Sequence, residues 1–340
     1  MNIYKKIHSL AKIFMNYKRR ATVLDTLPIR LWVESSLACN LECVMCPNKD
    51  LQGERRGIMD IELFKKIIDE AQSFVSDIYI HHRGEPLLNP DLCKMIIYAR
   101  EAQIKVRFHT NATVLNDAIA RQLIAAQPDM ISISFDGFKR EVYEDIRRGA
   151  DFEQTVSNIV SFMKIRKEMG SQYPYVIIER IDLEKYKGVL ESDEAHELVK
   201  RFKDAGVDEI ITKKEYTWVT HDAPEIIERT YSVCTFPWYA MVICWDGTVT
   251  PCPQDYMACM NMGNVREFSI KDIWNNERYV TLRTSLQTDV GSLDLCKRCD
   301  RLCRKQVAGV PFQYLFSFLG DHLIGYGKLK RLLGSFERNG

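Results

Sequence analysis

The 340-residue chain is 46% hydrophobic and 27% charged, a globular profile with length enough for one large domain and a smaller one. A formal net charge of +1 provides no global field to draw nucleic acid or a strongly acidic partner, and no run of about 20 apolar residues is present, so no transmembrane helix is expected. Eleven cysteines with no secretory signal, at clustered spacings, point to metal ligation in a reducing cytoplasm rather than to disulfides.

Residues 1–28 read as a basic amphipathic helix. Ile3, Ile7, Leu10, Ala11 and Phe14 recur at helical spacing, and Lys5, Lys6, Lys12, Lys18, Arg19 and Arg20 add positive charge. The favoured reading is a helix packed across the open end of the main domain, and a membrane-surface helix is the alternative. The tail over 311–340 raises the same question, with Phe312, Leu315, Phe316, Phe318, Leu319, Leu323 and Ile324 ahead of Lys328, Lys330 and Arg331.

Between these ends the pattern alternates. Strands are predicted at 30–34, 77–82, 105–109, 130–135, 175–181 and 209–213. Helices are predicted at 61–74, 92–102, 117–126, 152–169 and 193–205, the first behind Asp60 as an N-cap. Six strands alternating with helices imply parallel pairing through βαβ crossovers. Periodicity does not separate an open doubly wound sheet from a barrel. In both, ligands gather at the C-terminal ends of the strands.

Just past the first strand, Cys39, Cys43 and Cys46 fall at CxxxCxxC spacing. Three thiolates on one short loop can hold three corners of an iron–sulfur cube and leave its fourth iron open, whereas closed structural sites take four ligands. Taken alone, the triad also reads as a partial zinc site or as three buried thiols. With Met45 before its third cysteine, it resembles the signature of radical S-adenosylmethionine (SAM) enzymes. The resemblance implies that SAM chelates the open iron, that an electron from the cluster cleaves the sulfonium, and that a 5′-deoxyadenosyl radical takes hydrogen from a substrate. It implies an α/β fold, a partial (β/α)6 TIM-like barrel over 29–222. Met45 stands where the family often has an aromatic residue near the adenine. Low-oxygen conditions are the expected setting.

The motifs at the other strand ends follow from the same resemblance. His81-His82-Arg83-Gly84-Glu85-Pro86 resembles the family's Gly-Gly-Glu, which holds the SAM amino group; Gly84 and Glu85 carry the match and Arg83 replaces the first glycine. Asn111, in Thr110-Asn111, is expected to support SAM or the barrel mouth. Alternation puts Ser132, Ser134 and Asp136 on one face of the fourth strand, an inner row suited to the ribose and carboxylate of SAM; a helix cap is the plainer role for Asp136. The fifth strand brings Glu179, Arg180 and Asp182 to the mouth. Arg180 is a candidate to orient a carboxylate or hydroxyl of the substrate and Glu179 or Asp182 to remove a proton, with a surface salt bridge as the alternative. The sixth strand brings Lys213, Lys214, Glu215 and Tyr216.

From about 223 the alternation stops. Cys234 and Cys252 frame a predicted hairpin with Asp246-Gly247 at its turn, and Cys296 and Cys299 follow at CxxC spacing. These four thiolates can close a second 4Fe–4S cluster or a zinc site. With Gly263-Asn264-Val265 and Ile273-Trp274-Asn275 between them, they resemble the SPASM and shorter Twitch extensions of the family, here a small C-terminal cysteine-rich Twitch/SPASM-like unit over 223–310 with one auxiliary cluster. Cys303 is a candidate substitute ligand or hydrogen donor, beside the spare Cys244 and Cys259; Cys93 is expected in the core.

The auxiliary spacing resembles that of the aminocyclitol dehydrogenase of butirosin biosynthesis. The first expectation is therefore oxidation of a secondary alcohol of a sugar- or aminocyclitol-type molecule, with the auxiliary cluster accepting the electron. A lipid-linked substrate is a variant of it. The expected partners are a flavodoxin- or ferredoxin-type electron donor and no nucleic acid. The alternatives are a redox-neutral epimerase with a cysteine hydrogen donor, a maturase of ribosomal peptides, and a non-catalytic metal-binding scaffold.

Overall fold

The computed structural model describes residues 3–51, 57–186, 192–214, 218, 232–303, 306–307 and 310–311. Its centre is a sheet whose strands each present one apolar face. Leu31 and Val33 of β1 (Arg30–Val33), Ile78 of β2 (Asp77–Tyr79), Val106 and Phe108 of β3 (Lys105–Thr110) share one continuous buried core. So do Ile131 and Ile133 of β4 (Met130–Ser134) and Val176 and Ile178 of β5 (Tyr175–Asp182). Helices α2 (Ile61–Ala71), α3 (Leu92–Glu101), α4 (Asp117–Ala126), α6 (Phe152–Glu168) and α7 (Asp193–Ala205) bury their apolar stripes in that core. With β6 (Glu209–Lys214) the six strands pair in parallel in sequence order. The opposite parity of each strand faces the barrel interior.

Asp60 caps α2 as expected, its carboxylate accepting from the Leu63 amide at 2.8 Å. The strand predicted to reach residue 82 stops at Tyr79. Residues 83–85 leave the ladder to bond the loop after β1 instead: the Glu85 amide donates to the Ala38 carbonyl at 2.8 Å. Helix α5 (Arg140–Ile146) escaped the periodicity reading because seven residues are too short a window for a helical stripe. Its Tyr143 stacks on Phe135 with ring centroids 4.4 Å apart.

The C-terminal extension continues the same sheet. Strand β7 (Ala240–Ile243) pairs in parallel with β1, and β8 (Thr248–Thr250) and β9 (Gly263–Asn264) add antiparallel beyond it. Gly247 turns the β7–β8 hairpin at φ +91°, a left-handed conformation in which a Cβ would also meet Asn264 Oδ1 at 2.6 Å. Helices α8 (Ile270–Trp274) and α9 (Glu277–Thr288) pack behind it. Fully buried Arg283 of α9 donates to the carbonyls of Thr22, Pro237 and Trp274 at 2.8–3.0 Å, which straps the N-terminal segment to the extension.

Helix α1 (Ile3–Lys18) buries Leu10 and Ile13 against Phe236, Tyr239 and Val242, so it packs on the β7 side of the sheet. Among the described residues no helix is long and apolar enough to cross a membrane. The apolar tail segment from Phe312 onward lies outside the described residues.

Candidate active site

A cavity of about 890 Å³ opens at the C-terminal ends of the strands, a size suited to small ligands. Cys39, Met45, Cys43 and Cys46 enter it from the loop after β1; Gly84 and Glu85 from the loop after β2; Asn111 after β3; Ser134 and Asp136 at the end of β4; Glu179 of β5 and Lys213 of β6 from the far wall. The triad loop is held by backbone bonds to α5 and its surroundings: the Val44 amide donates to Ile146 O at 2.9 Å and the Glu42 amide to Arg148 O at 3.0 Å.

Burial pushes the Cys39 thiol up to about 12, and the charges of Glu85, Cys43 and Cys46 add to it. Burial raises Cys43 as well, against the Arg147 charge. Thiolates so crowded and desolvated are stable only around a cation, which deprotonates a coordinating thiol outright. Their chemistry thus fits a cluster held by Cys39, Cys43 and Cys46.

Glu85 is buried and spans two donors. Its Oε1 accepts from Thr110 Oγ1 at 2.7 Å and its Oε2 from the Asn111 amide at 2.7 Å. Burial raises its pKa and these bonds oppose the rise. Gly84 must be glycine here, because a Cβ would come within 2.4 Å of Ser36 O and 2.5 Å of Ala38 O. Arg83 lines the cavity, but its charge is taken up within the protein. Its guanidinium turns to Glu34, with Nε and Nη2 each 2.7 Å from the carboxylate.

Two residues past β4, Asp136 joins the Arg147 guanidinium and accepts from the Ile181 amide at 2.6 Å. It therefore ties α5 to β5 rather than capping a helix. Ser132 does not line the cavity; its hydroxyl lies 3.3 Å from Glu179 Oε2. Glu179 Oε1 is 2.7 Å from Lys213 Nζ. Arg180 stands on the opposite face of β5, the face of Val176 and Ile178, buried and 3.4 Å from Asp182, and it does not line the cavity. The side chain of Lys214 lies outside the described residues. Deeper in, His81 and His109 stack with ring centroids 4.3 Å apart. Burial drives both below their usual range, His109 to about 3, so both are neutral.

The extension holds a second thiol group. Burial raises Cys252, with Cys234 and Cys299 adding to it, and raises Cys296, with Cys252, Cys234 and Cys299 adding. Cys303 ends the turn Asp300–Cys303 and does not line the cavity, though Asp300 and Arg301 do. Cys244, directly after β7, is buried, and Cys259 is exposed. Arg147, Tyr256, His81 and His109 were not assigned as site residues from sequence. Arg147 follows Asp136 at a spacing without structural period, and Tyr256 comes from a part of the extension with no strand or helix pattern.

The Radical SAM superfamily matches residues 33–222, more than half of the chain. The chain belongs to that superfamily. An iron–sulfur cluster-binding SPASM domain matches residues 234–300. This radical SAM enzyme is 27% identical over 304 residues to the tungsten-containing aldehyde ferredoxin oxidoreductase cofactor-modifying protein of Pyrococcus furiosus, covering 74% of this chain and 82% of that one. It is 26% identical over 289 residues to the S-adenosyl-L-methionine-dependent 2-deoxy-scyllo-inosamine dehydrogenase of Niallia circulans, covering 82% and 95%. The solved complex of BtrN with AdoMet and 2-DOIA shares the fold, with a TM-score of 0.53 at 20% identity over 82% of this chain and 94% of that one. The two domains carry a SAM-binding 4Fe–4S cluster, SAM and auxiliary iron–sulfur chemistry.

Proposed function

We propose that this radical SAM enzyme oxidises a secondary alcohol of a sugar- or aminocyclitol-type molecule to the ketone. The observation that carries the reading is the far wall of the cavity, where the carboxylate of Glu179 lies between Ser132 and Lys213. The 26% identity to an aminocyclitol dehydrogenase across 95% of that protein supports it. When bound, Cys39, Cys43 and Cys46 would hold the SAM cluster, and Cys234, Cys252, Cys296 and Cys299 the auxiliary one; together these groups supply hydrogen-atom abstraction from carbon and an acceptor for one electron.

The protein's own residues supply the rest. An alcohol carbon that gives up a hydrogen atom, an electron and its hydroxyl proton becomes a carbonyl, so a base must take that proton. Glu179 is the acceptor, and Lys213 steadies its charge. Neutral His81 and His109 exchange hydrogen bonds with further ring hydroxyls and add no charge. Glu85 and Asn111 orient the polar end of SAM. No cysteine outside the triad lines the cavity among the described residues, which weighs against the epimerase reading.

The test uses 2-deoxy-scyllo-inosamine with SAM and dithionite under anaerobic conditions. Replacing Cys296 and Cys299 by alanine is expected to stop ketone formation while 5′-deoxyadenosine is still produced. Normal ketone yield from that variant rejects an electron-accepting extension. In the same assay Glu179→Gln is expected to slow turnover by about 100-fold or more, the usual size of a general-base contribution, with SAM cleavage retained. An unchanged rate removes Glu179 from the reaction.

A further inference from the structure

We infer that Tyr256, a residue of the extension, is a hydrogen-bond donor to the Cys46 sulfur and sets the reduction potential of the SAM-binding cluster from outside the barrel. This rests on the assignment of Cys46 as a cluster ligand but not on the identity of the substrate.

Each triad sulfur has a polar side chain near it. Asn111 Nδ2 lies 4.0 Å from Cys39 Sγ, and Arg147 Nη1 lies 3.7 Å from Cys43 Sγ. Tyr256 Oη lies 3.2 Å from Cys46 Sγ, the shortest of the three. The first two come from the barrel. The third comes from the loop after Cys252, which reaches across to cover the cavity. Tyr256 is 2% exposed, so its hydroxyl has little water to turn to.

The ring is held from several sides. The Tyr256 carbonyl accepts from Arg83 Nη1 at 3.2 Å, and the Tyr256 hydroxyl donates to the Arg83 carbonyl at 2.9 Å. Trp218 meets the ring edge-on with centroids 4.7 Å apart. Arg83 is locked by Glu34, which also accepts from the Trp245 amide of the extension at 3.1 Å. The arginine in place of the motif's first glycine thus rivets the extension to the strand ends and aims one hydroxyl at one sulfur. The hydroxyl has a single proton and two acceptors within reach, Arg83 O and Cys46 Sγ. A ligated sulfur is anionic and has no proton to donate, and a charge-assisted bond is the stronger one; the Arg83 carbonyl keeps Asn48 Nδ2 as a donor at 2.9 Å, so with the cluster bound the hydroxyl proton turns from that carbonyl to sulfur. A donor on a cluster sulfur stabilises the reduced, more negative state and raises the potential.

The experiment is an EPR-monitored redox titration of the reconstituted holoenzyme, wild type against Tyr256→Phe. The SAM-binding cluster is identified as the one whose signal changes when SAM is added. Loss of the hydroxyl is expected to lower that cluster's midpoint potential and leave the auxiliary cluster's unchanged, with full iron content. An unchanged midpoint in a fully loaded variant overturns the inference, and so does an equal shift of both clusters. Phenylalanine keeps the ring and its packing, so a purely structural role would leave the potential alone. Because the titration needs no substrate, failure of the alcohol-oxidation reading leaves its outcome interpretable.

Discussion

Replacing Cys39, Cys43 and Cys46 together by alanine is expected to abolish SAM cleavage and halve the iron content. Two 4Fe–4S clusters correspond to about eight irons per chain after anaerobic reconstitution, and the triple variant should retain about four. The loss should be chemical rather than structural. The triad loop is fixed through its backbone, by Val44 and Glu42 to residues 146 and 148 and by the Cys46 amide to Cys43 O at 3.0 Å, and alanine keeps all of these. Cys252 and Cys296 are raised by neighbouring thiols of the extension itself, so the iron held there should survive. About four irons in wild type, vanishing in the variant, would mean that the extension holds no cluster. The proposed dehydrogenation would then lack its electron acceptor, and a redox-neutral reaction would replace it.

Much of this architecture was readable before any coordinates. Six apolar strand runs alternating with amphipathic helices fix a parallel sheet, because a strand buried on its core face and a helix with one stripe have few other ways to cover each other. The cysteine spacings were readable because a cluster needs its ligands on short loops. What the sequence concealed is which way charged side chains turn at the mouth. Glu179 and Arg180 are neighbours with opposite fates, since strand parity sends one into the cavity and the other to the core face. Val176, Ile177 and Ile178 are all apolar, so the run itself does not announce which parity faces the cavity. The pairings of Arg83 with Glu34 and Asp136 with Arg147 join residues from separate elements, so no local spacing announces them. The joining of the extension to β1 was hidden for the same reason: a strand pairing more than 200 residues away in sequence leaves no periodic trace.

The Arg83–Glu34 pair carries the largest expected effect on stability. Both residues are buried, at 7% and 0% exposure, and their hydrogen bonds join the end of β1, the β2 loop and the extension. Glu34→Ala leaves the Arg83 Nε and Nη2 groups desolvated without a counter-charge. Removing one partner of such a pair costs about 3–5 kcal/mol, which should appear as a clearly lower urea midpoint of the apoprotein. Arg83→Gly, which restores the family's glycine, should cost less. The Glu34 carboxyl it strands can take up a proton and become neutral, and an arginine has no such escape. The paired change Glu34→Leu with Arg83→Met removes both charges and keeps volume, so it should recover most of the loss. An apoprotein midpoint unmoved by Glu34→Ala would mean that the pair is not closed in solution. Recovery of the urea midpoint in the double variant, together with a SAM-binding cluster potential below that of wild type, would separate the two roles of Arg83: the charge stabilises the fold with its partner, and the guanidinium's hold on the Tyr256 carbonyl tunes the cluster.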